Sequence, residues 1–215
     1  MSCEHGGNRV PGFARFFSKA FLDTHRGYDP GALEVARDFA RATGAPLFYS
    51  TVSRLLVELN RPPGHPQLFY LNLPEPQRDD LLRRYYLPYW RAIQKAIGRH
   101  RLVLHLSVHS FTPRFRGVTR GTDIGLLFDP RRPAEAALCR SWRKALGTEF
   151  VVRENHPYAG VHPSVVQSMR EKFSPTRYVG IQLELNQKYP RRGGRRWPEL
   201  RGALVRSFLD TIHQR

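Results

Sequence analysis

Leu102-Val103-Leu104-His105-Leu106-Ser107-Val108, followed at once by His109-Ser110-Phe111, is the stretch on which the fold turns. A short apolar run of this length reads as a buried strand, and it delivers a histidine to its own carboxyl end. In open α/β sheets the reactive groups gather at the carboxyl ends of the strands. Polar residues that directly follow apolar runs are therefore the ones to inspect.

Working outward, segments 123–128, 149–153 and 178–185 read as further strands, with helices at 133–146 and 163–172 and a last helix from about Pro198 to His213. A basic loop, 188–196, joins the last strand to that helix. On the other side, residues 77–98 carry Leu81, Leu82, Tyr85, Tyr89, Ile93 and Ile97 at helical spacing, with a kink expected at Pro88 and a stop at Gly98. A proline-rich loop, 62–76, separates this helix from Pro46 to Val57, whose bulky and β-branched residues read as a strand interrupted at Ser53-Arg54. Further upstream, Asp29-Pro30-Gly31-Ala32 reads as a helix start, with Asp29 as N-cap, Pro30 at N1 and Gly44 as the stop. Strands alternating with helices predict an α/β fold of three layers, α/β/α, around a mainly parallel sheet.

Composition narrows the class. The chain has 215 residues, 40% of them hydrophobic and 25% charged, a globular composition of a size expected for one domain over 1–215. It contains no apolar run of membrane-spanning length, and its opening segment lacks the apolar core of a secretory signal. A cytoplasmic protein with no membrane partner is expected. With only Cys3 and Cys139, neither a disulfide framework nor a four-cysteine zinc site is available, so any metal must be held by histidine and carboxylate. The net charge of +17 makes nucleic acid or another polyanion an alternative partner. Yet 30 arginines against 5 lysines, scattered except for Arg191, Arg192, Arg195 and Arg196, are also what a GC-rich coding sequence produces. Nucleic acid is expected only as a secondary consequence of charge.

Several places can carry chemistry. Glu4-His5-Gly6-Gly7-Asn8 sets a histidine beside two glycines that allow close approach of backbone or ligand. His109 follows its strand directly, where it serves either a site or a turn. Glu184, between Leu183 and Leu185, is either an edge-strand carboxylate facing water or a buried one, which is costly unless it is paired or holds a proton at a raised pKa. Arg54 and the pair Asn60-Arg61 stand among apolar residues; an arginine fork matches a carboxylate bidentately, and the plain alternative is a surface ion pair with Glu58.

Taken in order, SCEHGGNRVP, THRGYDPGA, SRLLVELNR, HSFTP, NHPYAG and QLELNQKY resemble the N-formylglutamate amidohydrolase family over nearly the whole chain. The resemblance implies kinship with the zinc carboxypeptidases and aspartoacylases, and with it their phosphorylase/hydrolase-like α/β fold. It implies one zinc ion per chain with His5 and His109 among its ligands, and Glu184 as general base. It further implies Asn60 and Arg61, joined by Arg54, on the substrate carboxylate, and Tyr158 of the Asn-His-Pro-Tyr loop closing over the substrate. The relatives place a Glu three positions after the first His, whereas this chain has Asn8, a poor zinc ligand beside a carboxylate. Asp29 is the expected acidic ligand, with Asp23, Glu4 and His25 behind it. His5 also lies so near the first residue that either the first strand is very short or the true start lies upstream. The expected reaction is metal-dependent hydrolysis of the amide of a small, acidic, N-formylglutamate-like N-acyl amino acid. The alternatives are another N-acyl amino acid or small peptide, or a non-catalytic polyanion-binding protein on the same fold.

Overall fold

The structure, a computed structural model, describes residues 1–213. In chain order its elements are β1 (Ser2–Cys3), α1 (Lys19–Leu22), α2 (Ala32–Thr43), β2 (Phe48–Tyr49), α3 (Glu75–Leu81), α4 (Leu87–Gly98), β3 (Val103–Phe111) and the hairpin β4 (Arg114–Phe115) and β5 (Val118–Thr119). They continue with β6 (Ile124–Leu127), α5 (Pro133–Leu146), β7 (Val152–Glu154), α6 (Val165–Lys172), β8 (Tyr178–Asn186), α7 (Lys188–Arg192) and α8 (Arg196–His213). Six strands form the central sheet in the order β2-β1-β3-β8-β6-β7. The first four run parallel, while β6 is antiparallel to β8 and carries β7 parallel to itself. This is the mostly parallel, helix-covered α/β sheet that the strand and helix alternation predicts.

The two faces of the sheet differ in chemistry. Leu106 and Val108 of β3 and Ile181, Leu183 and Leu185 of β8 pack with Phe39 of α2, Trp142 of α5 and Phe208 of α8. Those three rings meet edge to face at centroid separations of 5.9, 5.2 and 4.9 Å. Burying each such side chain contributes roughly 1.5–3 kcal/mol, so this face anchors the fold. The alternate residues of the same strands point the other way, because side chains along a strand alternate between faces. They are His105, Ser107 and His109 on β3, and Gln182 and Glu184 on β8. That face is covered by a second cluster with Leu81 and Ile93 of α3 and α4, Val165 and Met169 of α6, and Leu55, Leu56 and Leu59 from the 53–59 segment.

Several elements depart from expectation for identifiable reasons. The segment from Pro46 to Val57 yields a strand only at Phe48–Tyr49 and an isolated bridge between Arg9 and Val52. At Ser53 the hydroxyl donates to Gly27 O at 2.8 Å and accepts from Leu55 N at 3.2 Å, so the chain turns there and its leucines fill the second cluster. Helix 75–98 is not broken at Pro88. A π-turn over Leu82–Tyr86 precedes it, and the proline falls in the first turn of α4, where no backbone N–H is required. Part of the expected basic loop is helical, as α7. The N-cap of α2 is Gly31 at φ +81°, not Asp29; a Cβ there would lie 2.8 Å from Pro190 Cβ. Among the described residues, no helix is long and apolar enough to cross a membrane.

Candidate active site

β1 has only two residues, yet Ser2 pairs with both Phe48 and Ser107, and Cys3 with Tyr49, which aims Glu4 and His5 over the end of the sheet. The glycines after His5 serve backbone packing: a Cβ on Gly7 would stand 2.7 Å from Thr51 O. Asp29 donates its backbone N–H to His5 O at 2.9 Å, tying the loop before α2 to the same strand end. Relieved of capping, the Asp29 carboxylate enters the site.

There one oxygen meets two imidazoles. Asp29 Oδ2 lies 3.2 Å from His5 Nδ1 and 3.0 Å from His109 Nδ1, and the two rings are 5.1 Å apart. The donor atoms of His5, Asp29 and His109 all lie within 4.8 Å of one another, and all three residues are buried. The outer nitrogens are also occupied. His5 Nε2 is bonded to the Glu58 carboxylate, and His109 Nε2 lies 3.0 Å from Ser107 Oγ and 3.2 Å from Glu4 Oε2. Glu4 itself accepts from Tyr89 OH at 2.9 Å and from Ser107 Oγ at 2.8 Å. Both imidazoles are thus clamped between carboxylates.

Burial raises the pKa of each of these carboxyls, but neighbouring cations outweigh it. His5, His109 and Arg54 hold Asp29 well below the carboxylate range, Arg54 and His5 do the same for Glu58, and His109 for Glu4. Burial opposes charge on His109, yet Asp29 and Glu4 carry its pKa well above the usual histidine value.

Glu184 behaves oppositely. It is the register partner of His109 across β3 and β8, it is 7% exposed, and its Oε2 is buried without a hydrogen-bond partner among the described residues. Burial and the Asp29 charge push its pKa up to about 7 against the pull of His109. It is not an edge-strand carboxylate in water.

A cavity of about 190 Å³ opens over this group, lined among others by Arg54, Arg61, Leu127, Tyr158, Ser164, Gln182 and Glu184. Arg61 is fixed through Nη1 alone, which donates to Asn60 O at 3.1 Å and Pro163 O at 3.0 Å. The ion pair with Glu58, which the sequence offers as the plain alternative at the surface, is a buried one with Arg54, whose Nε donates to Glu58 Oε2 at 2.7 Å while its Nη1 stands 3.5 Å from Asp29 Oδ1. The Asn60 amide is spent as well, with Oδ1 accepting from Val165 N at 3.0 Å and Nδ2 3.3 Å from His109 Nε2. Tyr158 lines the cavity and accepts from Arg120 Nη1 at 3.2 Å.

The alternative acidic residues are placed elsewhere. Asp23 is exposed and accepts from Asn8 Nδ2 at 2.8 Å and Lys19 Nζ at 2.7 Å, and His25 is not part of the cluster. Glu4 reaches only the outer nitrogen of His109. Sequence reading overlooked Ser107 and Gln182 and undervalued Glu58. The signal for Ser107 and Gln182 was alternation, since each stands two residues before a site residue on the same strand face; Glu58 stands in one short turn with Asn60 and Arg61.

Comparison with known proteins places the chain in a family and a fold. The family model for N-formylglutamate amidohydrolase matches residues 1–189. The crystal structure of the gene product Atu2144 from Agrobacterium tumefaciens superposes with a TM-score of 0.86 at 25% identity, covering 99% of this chain and 89% of its own. That of the N-formylglutamate amidohydrolase from Ralstonia eutropha JMP134 gives 0.69 at 20% identity, covering 99% of this chain and 92% of its own, and supports the fold. A search of curated proteins returned no match. With the family model spanning the sheet and every residue of the histidine and carboxylate cluster, the chain belongs to the N-formylglutamate amidohydrolase family.

Proposed function

We propose that the chain hydrolyses the amide of a small, acidic N-acyl amino acid of the N-formylglutamate type, using a zinc ion held by His5 Nδ1, Asp29 and His109 Nδ1. One observation carries the reading: two imidazoles turn the same nitrogen to one carboxylate oxygen while their other nitrogens are gripped by separate carboxylates. Metal-binding histidines almost always have their outer nitrogen held this way, which fixes ring and tautomer. Two histidines and a carboxylate are a donor set that suits zinc and leaves a position open.

Bound there, zinc supplies Lewis acidity, polarising the acyl carbonyl and making water acidic enough to lose a proton at about pH 7. The remaining work falls to side chains. Glu184 Oε2, without a protein partner, accepts the proton of the attacking water and returns it to the leaving nitrogen. Burial works to hold its pKa above the usual carboxylate value, which suits both halves of that transfer, a role that typically contributes about 10²–10⁴ in rate. Arg61, anchored through one terminal nitrogen, keeps Nε and Nη2 for a substrate carboxylate. Arg54 and Asn60 act behind it: Arg54 keeps Glu58 and Asp29 ionised, and Asn60 braces His109 and the start of α6. Tyr158, on the cavity wall, would close over a bound substrate.

The test is a panel of N-formyl, N-acetyl and N-succinyl amino acids offered to the purified protein after chelation and after zinc is returned. N-formylglutamate should be cleaved only with zinc present. Cleavage indifferent to chelation, or none of any substrate, would overturn the reading.

A further inference from the structure

We propose that Gln182 selects the side chain of the amino acid being released, favouring one that ends in a carboxamide or carboxylate over an apolar one of equal length. The inference rests on the hydrolase reading above. Gln182 lies two residues before Glu184 on β8, so its side chain shares the face of Glu184 and lines the same cavity. It is 5% exposed, and what is exposed of it lies on the cavity wall, where its amide is open to a ligand. Its surroundings explain why. The register partner Ser107 gives its hydroxyl to Glu4, Leu127 opposite on β6 is apolar, and the Ser164 hydroxyl caps α6 by accepting from Gln167 N at 3.1 Å. Asn60 and Ser110, which also line the cavity, are committed to other partners.

An amide on a cavity wall with no protein side chain committed to it is available to a ligand that fills the cavity. A primary amide offers two N–H donors and a carbonyl acceptor, so the matching group carries an oxygen acceptor, with or without an N–H. The spacing along β8 places Gln182 roughly 6.6 Å from Glu184, within reach of a side chain built from a few carbon–carbon bonds of about 1.5 Å. The substrate's other carboxylate has Arg61, whose fork is free, whereas Arg54 is already paired with Glu58. The cavity therefore divides its labour: Arg61 takes the charged group and Gln182 a hydrogen-bonding group of either charge state.

The experiment compares N-formyl derivatives of glutamate, glutamine and norleucine in the wild type and in Gln182→Met. In parallel, calorimetry follows binding of free glutamine and norleucine to the zinc-loaded proteins. The wild type should favour both polar side chains over norleucine by about tenfold, the worth of one net hydrogen bond, and Gln182→Met should erase that preference through KM. Gln182→Glu should retain glutamine and lose glutamate by like-charge repulsion. Replacing an amide that faces the cavity should leave the melting temperature of the free Met variant level. A lower melting temperature, or a polar preference that survives in Gln182→Met, overturns the inference. So does equal binding of the two amino acids to the wild type. If no derivative is cleaved while the binding preference still tracks Gln182, the hydrolase reading falls and the role of Gln182 stands.

Discussion

Glu184 has His109 as its register partner on one side and Gly125 on the other, so the carboxylate sits between a candidate metal ligand and a residue with no side chain. The glycine is required sterically, since a Cβ at position 125 would lie 2.2 Å from His156 O and 3.2 Å from Glu184 Cβ. Gly125→Ala should displace the loop that carries Tyr158, destabilise the protein by about 1–3 kcal/mol and lower turnover. Thermal melting and kinetics check it; an unchanged melting temperature with full activity would show that the backbone yields freely here.

Glu184→Gln should keep metal and fold and lose most turnover, because the amide preserves shape while abolishing the base. The variant also has a pH signature. The buried carboxyl titrates near about 7, against 4.5 for an unperturbed one. A group whose pKa is raised on folding gives its full stability below the unfolded value and loses it as pH rises through the folded one. Metal-free Glu184→Gln should therefore melt a few degrees above metal-free wild type at pH 8, with the gap closing by about pH 4.5. In the zinc-loaded wild type, kcat/KM should fall at acid pH as Glu184 takes up its proton, with a midpoint below that of the metal-free site because the dication favours the carboxylate. Wild-type turnover in the folded variant would remove Glu184 from the reaction.

Metal content separates the inner residues of the cluster from the outer ones. His109→Ala should lose the stoichiometric ion, measured by elemental analysis, since it removes one of the three converging donors. Glu58→Gln keeps a group on His5 Nε2 but removes its charge, and should weaken zinc affinity about 10–100-fold while the ion still binds at saturation. A full complement of zinc in His109→Ala would dissolve the assignment of the site.

What the sequence reveals about this site depends on how local each signal is. His109 and Glu184 are legible because an apolar strand flanks each one and the carboxyl ends of a sheet are where chemistry collects. The pairing of Arg54 with Glu58 is only half legible: the sequence offers it as a surface ion pair, and its burial depends on the chain turning at Ser53, where a run of β-branched and bulky residues reads as a strand until tertiary packing claims its leucines. Asp29 reads equally as a helix cap and as a ligand; Gly31, two residues on, takes the cap in a left-handed conformation and leaves the Asp29 carboxylate to the histidine cluster. Alternation along β8 puts Gln182 on the face of Glu184, but that its amide opens onto the cavity is visible only in three dimensions.

Arg61 allows recognition and stability to be told apart. Its Nη1 donates to the carbonyls of Asn60 and Pro163, and these two bonds fix the loop rather than any ligand. Arg61→Lys should cost about 1 kcal/mol through their partial loss, a shift of a few degrees in melting temperature, with zinc content unchanged. The larger effect should be on KM, because lysine offers a point charge where the guanidinium offers a fork. KM for N-formylglutamate should rise at least about tenfold, the scale of a charge-assisted hydrogen bond, with a smaller change in kcat, since Arg61 orients the substrate and does not touch the transferred proton. The residue has no competing duty toward Glu58, which is bonded to Arg54 and His5. Kinetics on one formylated acidic substrate decides it: an unchanged kcat/KM in a variant with normal zinc would leave the cavity without a carboxylate clamp and remove the main support for an acidic substrate.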